Sequence, residues 1–277
     1  MKTVNSLSGG KTSSYMAVHY PADYNLFALV IIEDKSCTPK DGKFVQMVSD
    51  KIGKEFIATA ESDKTLKVIF DLEQMTGKEI IWVTGDTFEM VCRKRKALAN
   101  QMQRFCTTEM KMKPIFDYWR NNINDIVKMR VGYRFDELDR AVRFTTKFKT
   151  IIGRNSTDTR NKWGEIEWRV GDFPLIENKV THFAVNEWAK KTDLIFPPDS
   201  NCVGCFHKPY QQLRKNWDDE PQKMQWFSNM EKTNYGNRRK PMKWKKEMNY
   251  EQAKKIGLQQ DFFFGTGSGC QAGFCTD

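Results

Sequence analysis

The chain of 277 residues has no run of 18 apolar residues, which excludes a helix that crosses a membrane. Its N-terminus lacks the charged and apolar regions of a secretory signal peptide, so the expectation is a soluble, cytoplasmic protein without a membrane partner. No internal repeat is found. The glycine-rich turn near the N-terminus has neither the GxxxxGK(S/T) spacing of a P-loop nor the GxGxxG of a dinucleotide fold. Apolar residues are not scarce: 39% hydrophobic and 13% aromatic content builds a core and argues against general disorder. The length fits one large α/β domain, or one domain with an appended subdomain.

Acidic side chains are the minority, 35 against 45 lysines and arginines, for a formal net charge of +10. That balance suits a polyanionic partner or a pocket for multiply charged nucleotides. Seven cysteines in a cytoplasmic chain do not read as a disulfide framework. Cys202 and Cys205 form a CxxC, Cys270 and Cys275 stand near the last residue, and Cys106 lies in a polar, basic context. Cys37 and Cys92 read as buried thiols.

The stretch that organises the chain is Ser8-Gly9-Gly10-Lys11-Thr12-Ser13-Ser14, behind a short apolar strand and ahead of a helical run. Two adjacent glycines at a strand-to-helix turn let the backbone approach a ligand closely. The hydroxyls can donate, and the helix adds free N–H groups and the positive end of its dipole. This is the chemistry of a phosphate cradle. A Gly-Gly turn with a serine helix cap is the plainer alternative.

Residues 25–32 (NLFALVII) form a continuous apolar run, the mark of a strand buried on both faces. Glu33 and Asp34 follow, where open α/β sheets place groups that contact ligands. Residues 43–52 read as a helix with Phe44, Met47, Val48 and Ile52 on one side. Residues 55–59, 79–83 and 126–133 read as strands, and 87–102 as a helix whose cluster Arg93-Lys94-Arg95-Lys96 faces solvent. Strands alternating with helices predict an α/β fold with a doubly wound, mostly parallel sheet.

From residue 144 the character changes. Residues 144–152 and 165–170 read as strands separated by a polar loop over 153–164, and 182–190 as a helix before the turn at Pro197-Pro198. Residues 210–258 read as helical and basic, carrying Trp217, Trp226 and Trp244, ahead of a Gly-rich tail. The expected division is a nucleotide-binding domain over 1–208 and a helical, cysteine-containing extension over 209–277.

Four motifs fall in one order. They are Ser8-Gly9-Gly10-Lys11-Thr12-Ser13; Arg104-Phe105-Cys106 leading to Lys111, Lys113 and Pro114; Gly132-Tyr133-Arg134 with Glu137 and Arg140; and Phe173-Pro174-Leu175 leading through Trp188 and Pro197-Pro198 to Cys202-Val203-Gly204-Cys205. Together they resemble the PP-loop superfamily, and within it the phosphoadenosine phosphosulfate (sulfonucleotide) reductase family. The resemblance spans roughly residues 1–208 and implies an adenine nucleotide alpha hydrolase-like fold with a nucleotide site at the carboxyl edge of the sheet. Ser8, Gly9, Gly10, Lys11, Thr12, Ser13 and Ser14 would hold phosphate or sulfate oxygens, with Arg134, Lys111 and Lys113 as further cations. The nucleotide would be ATP or a sulfonucleotide (PAPS or APS), with Mg²⁺ as a further candidate. Thr12 stands where the family usually has Asp.

The resemblance also implies a metal. Cys106, Cys202 and Cys205 fall where the iron–sulfur members take ligands; Cys275 or Cys270 could supply a fourth, and His207 is nearby in sequence. Cysteine sets of this kind suit an iron–sulfur cluster or Zn²⁺. The family's paired cysteines are reduced here to Cys106 followed by Thr107. The reductases' tail motif, Glu-Cys-Gly-Ile/Leu-His, is missing, yet a Gly-rich tail could still bring Cys270 or Cys275 over the nucleotide as a nucleophile. Cys270, Cys275 and Lys11 are therefore the candidate catalytic residues.

Three functions stay open. The first is reduction of a sulfonucleotide, with a thiol reductant protein as partner. The second is ATP pyrophosphatase-type activation for sulfur transfer or nucleic-acid modification, with residues 208–246 contacting phosphates and stacking bases. The third is a non-catalytic nucleotide-binding module.

Overall fold

The computed structural model describes residues 1–155, 157–236 and 241–258. Nine strands occur among them: β1 (Thr3–Leu7), β2 (Tyr24–Leu29), β3 (Ile31–Ile32), β4 (Ala58–Thr59), β5 (Ile80–Thr84), β6 (Val127–Arg130), β7 (Lys147–Arg154), β8 (Asn161–Glu167) and β9 (Arg169–Asp172). Five of them form one sheet in the order β5-β2-β1-β6-β9, every neighbouring pair parallel. The expected α/β fold with a parallel sheet is what the chain forms.

Alternate residues of the central strands feed two cores. Leu7, Phe27, Leu29, Ile80 and Trp82 pack on one face with Met16 and Ala17 of the Lys11–His19 helix, Val48 of the Gly42–Ile52 helix and Leu66, Ile69 and Leu72 of the Asp63–Thr76 helix. Val4, Leu26, Ala28, Val127 and Met129 pack on the other face with Ile115, Phe116 and Trp119 of the Lys113–Asn122 helix. Helices on both faces explain why β2 reads as an unbroken apolar run. The arrangement is compatible with double winding.

Several local expectations shift. The run over 25–32 is split, because the carbonyl of Val30 leaves the main ladder and accepts from the Ala60 amide and the Thr59 hydroxyl. Ile31–Ile32 then pairs antiparallel with Ala58–Thr59. Met47 is exposed, and Val48 is the buried residue of its helix. The helix expected over 87–102 stops at Arg95, where Lys96 takes a left-handed conformation. Its basic residues face solvent in ion pairs, Arg93 with Glu33 and Lys94 with Asp86. The strands of the antiparallel β7–β8 hairpin reach into both ends of the polar stretch 153–164, to Arg154 and from Asn161.

The helices Tyr210–Asp219, Pro221–Lys232 and Tyr250–Ala253 form one apolar cluster with Val203 and Phe206 of the CxxC segment and with Val30, Ile32, Phe88 and Leu98. These three helices therefore share a core with the first 208 residues. Trp217, Trp226 and Trp244 are buried in it, and their indole N–H groups donate to Tyr250 O, Glu89 Oε1 and Phe227 O. They are not available to stack bases, so that expectation is corrected. Among the described residues no helix is long and apolar enough to cross a membrane.

Candidate functional site

In the sheet order, β2 and β5 lie to one side of β1, while β6 and β9 lie to the other. The order therefore reverses between β1 and β6, and a crevice opens beyond their carboxyl ends, where open α/β sheets bind ligands. The chain leaving β1 is the Ser8–Gly10 turn; the chain leaving β6 carries Gly132, Tyr133 and Arg134.

The two glycines of the turn have separate tasks. Gly9 sits at φ +71°, and a Cβ there would stand 2.6 Å from Thr65 Cγ2. Gly10 has an ordinary extended conformation, but a Cβ on it would stand 2.8 Å from Ser200 Oγ. The first glycine makes the bend and the second lets Ser200 close over it. Gly10 caps the Lys11–His19 helix without a side-chain hydrogen bond, and no acidic residue occupies the first turn. The positive end of the helix is left for a ligand.

The Ser13 hydroxyl holds the turn in shape. It accepts from the Ser8 amide (3.2 Å), donates to Gly10 O (3.1 Å) and lies 3.0 Å from Ser8 Oγ. Arg134 reaches across from β6: its Nη1 donates to Thr12 Oγ1 at 2.8 Å. Its Nη2 is 3.0 Å from Glu137 Oε2, and Glu137 in turn receives Arg140. The guanidinium is thus fixed before any ligand arrives.

One cavity is lined by Ser8, Gly10, Lys11, Thr12, Ser13 and Arg134. Its opposite wall comes from Glu137, from His182, Val185 and Asn186 of the His182–Lys190 helix, and from residues 197–201. Asp199 shapes that last turn rather than standing free. It accepts from the Asn201 amide and pairs with buried Lys208 at 3.0 Å. His182 and Asn186 were not marked by the sequence; only their place one helical turn apart, facing the turn after β1, brings them in.

The other expected cradle residues lie elsewhere. Gly9 packs on Thr65 and Ile69 beneath the turn. Ser14 is buried, with no hydrogen-bond partner for its hydroxyl among the described residues, and lines no part of this cavity. Lys113 pairs with Asp117 on an exposed face, away from it. Lys111 lines a second cavity with Cys106, Thr107, Cys202, Cys205 and the rings of Phe88, Phe206, Phe227 and Trp244. Asn201 belongs to both cavities, so the thiols stand next door to the cradle.

In the second cavity Lys111 donates to Glu61 Oε1 at 2.9 Å, and Glu61 is fully buried. Burial pushes the Cys106 thiol up to about 11 and raises Cys202 and Cys205 as well. As free groups all three are neutral thiols near neutral pH. Thiolates are the donors that zinc or an iron–sulfur cluster takes. Among the described residues, however, no group of three or more His, Cys, Asp or Glu side chains converges as a ligand shell. Cys270 and Cys275 lie outside the described residues. Cys37 and Cys92 are buried, as expected. The chain matches no protein-family model and no curated protein.

Proposed function

We propose that the first cavity binds an adenine nucleotide, and that the chain is a PP-loop enzyme of the phosphoadenosine phosphosulfate reductase-like kind. The observation that carries this is the contact between Arg134 and Thr12 at the reversal of strand order. It joins the motif after β6 to the turn after β1, around one anion-sized space. In this reading the N–H groups at the start of the Lys11–His19 helix and the hydroxyls of Ser8 and Thr12 donate to phosphate or sulfate oxygens. Lys11 and Arg134 neutralise them, the planar guanidinium through two parallel hydrogen bonds.

The neighbouring thiol cavity supports sulfur chemistry. A chain thiolate attacks the sulfur of the bound sulfonucleotide and the nucleoside phosphate leaves. A second thiol then displaces sulfite, and an external dithiol reduces the disulfide left behind. Cys270 and Cys275 are the candidate nucleophiles, since the buried thiols are held protonated. A soft metal on Cys106, Cys202 and Cys205 belongs to the proposal, but no step is routed through it. Metal analysis of anaerobically purified protein, with Cys202→Ser as control, tests that part.

A second reading is favoured by the β7–β8 hairpin. Arg160 and Lys162 are exposed there beside Trp163, which is 58% exposed opposite Ile151, while Lys147 and Lys149 stand opposite Glu167 and Glu165 and Arg154 pairs with Asp158. Cations beside a free indole suit a nucleic acid strand, which would make the reaction an ATP-dependent modification of that strand. Parallel incubation with ATP and with sulfonucleotides decides. Sulfite release supports the first reading, pyrophosphate release the second, and tight binding without turnover a non-catalytic module. Failure to bind any adenine nucleotide overturns all three.

A further inference from the structure

His182 lines the same cavity as Ser8, Lys11 and Arg134, and Asn186 stands between it and Lys11. Lys11 Nζ lies 3.0 Å from Asn186 Oδ1. An ammonium only donates, so the atom facing it has to be the amide oxygen, and the orientation of Asn186 is settled by chemistry. The amide nitrogen then faces the imidazole, 3.0 Å from Nε2 and 3.4 Å from Nδ1. An atom this near both ring nitrogens at once lies over the ring face, along neither lone pair, so the imidazole packs against the Asn186 amide, which spaces it from Lys11.

Burial lowers the His182 pKa from its ordinary value, and the positive charges of Arg134 and Lys11 lower it further. Asp136 and Glu137 pull the other way, and Asp136 also accepts from the His182 amide at 3.2 Å. Both carboxylates are engaged by Arg134, at 3.4 and 3.0 Å. A ligand that draws Lys11 and Arg134 toward its own oxygens changes this balance. The dominant charge near the ring then becomes negative.

We propose that His182 is a ligand-binding residue of this cavity that takes up a proton when an anionic nucleotide enters, becoming a third cation beside Lys11 and Arg134. The proton comes from solvent, moves to the unprotonated imidazole nitrogen, and returns to solvent when the ligand leaves. Nucleotide binding is then coupled to pH by a residue that carries no charge in the empty site. This role presupposes the nucleotide site proposed above.

Calorimetric titration with adenosine 5′-phosphosulfate, in two buffers of different ionisation enthalpy, measures the protons taken up on binding. The anionic groups of this ligand do not titrate near neutrality, so uptake reports the protein. The wild-type protein is expected to take up close to one proton, and its affinity to rise by up to about tenfold for each pH unit lowered near neutrality. His182→Gln should still bind, with no uptake and a flat pH profile. The ring nitrogens provide a second readout, since the chain has only three histidines: His182 should be neutral when empty and charged when bound.

Uptake that survives in His182→Gln, or no uptake in the wild type, overturns the role. Inorganic pyrophosphate separates the two claims. If it binds with uptake lost in His182→Gln while no nucleotide binds, the nucleotide reading falls and the histidine role stands. If neither binds, both fall.

Discussion

Arg134 Nη1 and Thr12 Oγ1 lie 2.8 Å apart although 122 positions separate them in the chain. A hydroxyl at residue 12 lets the guanidinium lean on the cradle without being neutralised by it. A carboxylate there would form an ion pair and compete with an anionic ligand. Thr12→Asp is therefore expected to weaken binding of nucleotide without added metal by about 10-fold or more, on the scale of a charge-assisted hydrogen bond of about 1.5–3 kcal/mol. Arg134→Ala should cost about 10- to 100-fold on the same scale, and Arg134→Lys less, since it keeps charge but not the planar fork. Equilibrium titration measures both.

The two glycines of the turn should fail in different ways. Gly9→Ala meets Thr65 and a left-handed backbone together, and should destabilise the fold by about 2 kcal/mol or more. Gly10→Ala has no backbone strain, and its cost of about 1–3 kcal/mol comes from Ser200 alone. Ser200→Gly should therefore restore the stability of Gly10→Ala but not that of Gly9→Ala. Denaturant unfolding of the four variants checks this.

Lys208 and Asp199 form a buried pair, with side chains only 3% and 7% exposed. Lys208→Met leaves the carboxylate buried without its cation, which should cost about 3–5 kcal/mol. It should also loosen residues 197–201, and with them nucleotide affinity. Lys208→Met with Asp199→Asn should recover much of the stability, as urea midpoints would show.

Glu231 predicts a pH dependence of stability. Burial pushes its carboxyl up to about 7, although it accepts from the Tyr250 and Trp244 amides. A folded-state pKa above the unfolded one means that the folded chain binds the extra proton. Its stabilising contribution is thus present below the ordinary carboxyl range and is lost as pH rises to about 7. The loss should amount to roughly 3 kcal/mol at about 1.4 kcal/mol for each pH unit. Glu231→Gln should flatten that part of the profile in thermal melts taken across the interval.

What could be read before folding was whatever carries a local signature. The apolar strand, Gly-Gly bend and helix around residues 3–19 are legible because each step uses residues that few other structures need. The run over 25–32 is legible because both faces of β2 meet helices. The β7–β8 hairpin was legible in part, as strands over 144–152 and 165–170, but its extension into 153–164 was not, because that stretch faces solvent and shows no alternation of apolar and polar side chains. Met47 and Val48 look alike in sequence, and only the sheet decides which one is buried.

The sequence by itself determined an α/β chain with a Gly-Gly bend between its first strand and first helix, since strand, bend and helix are short-range events. Tertiary structure decided what that turn meets. The pairing of β1 with β6 brings Arg134 to Thr12, and the approach of the His182–Lys190 helix brings Asn186 and His182 to Lys11. Packing turned Trp217, Trp226 and Trp244 inward and put Lys111 in the thiol cavity instead of the one lined by Lys11 and Arg134. Those outcomes depend on which surfaces bury each other over long separations, and no local pattern encodes that.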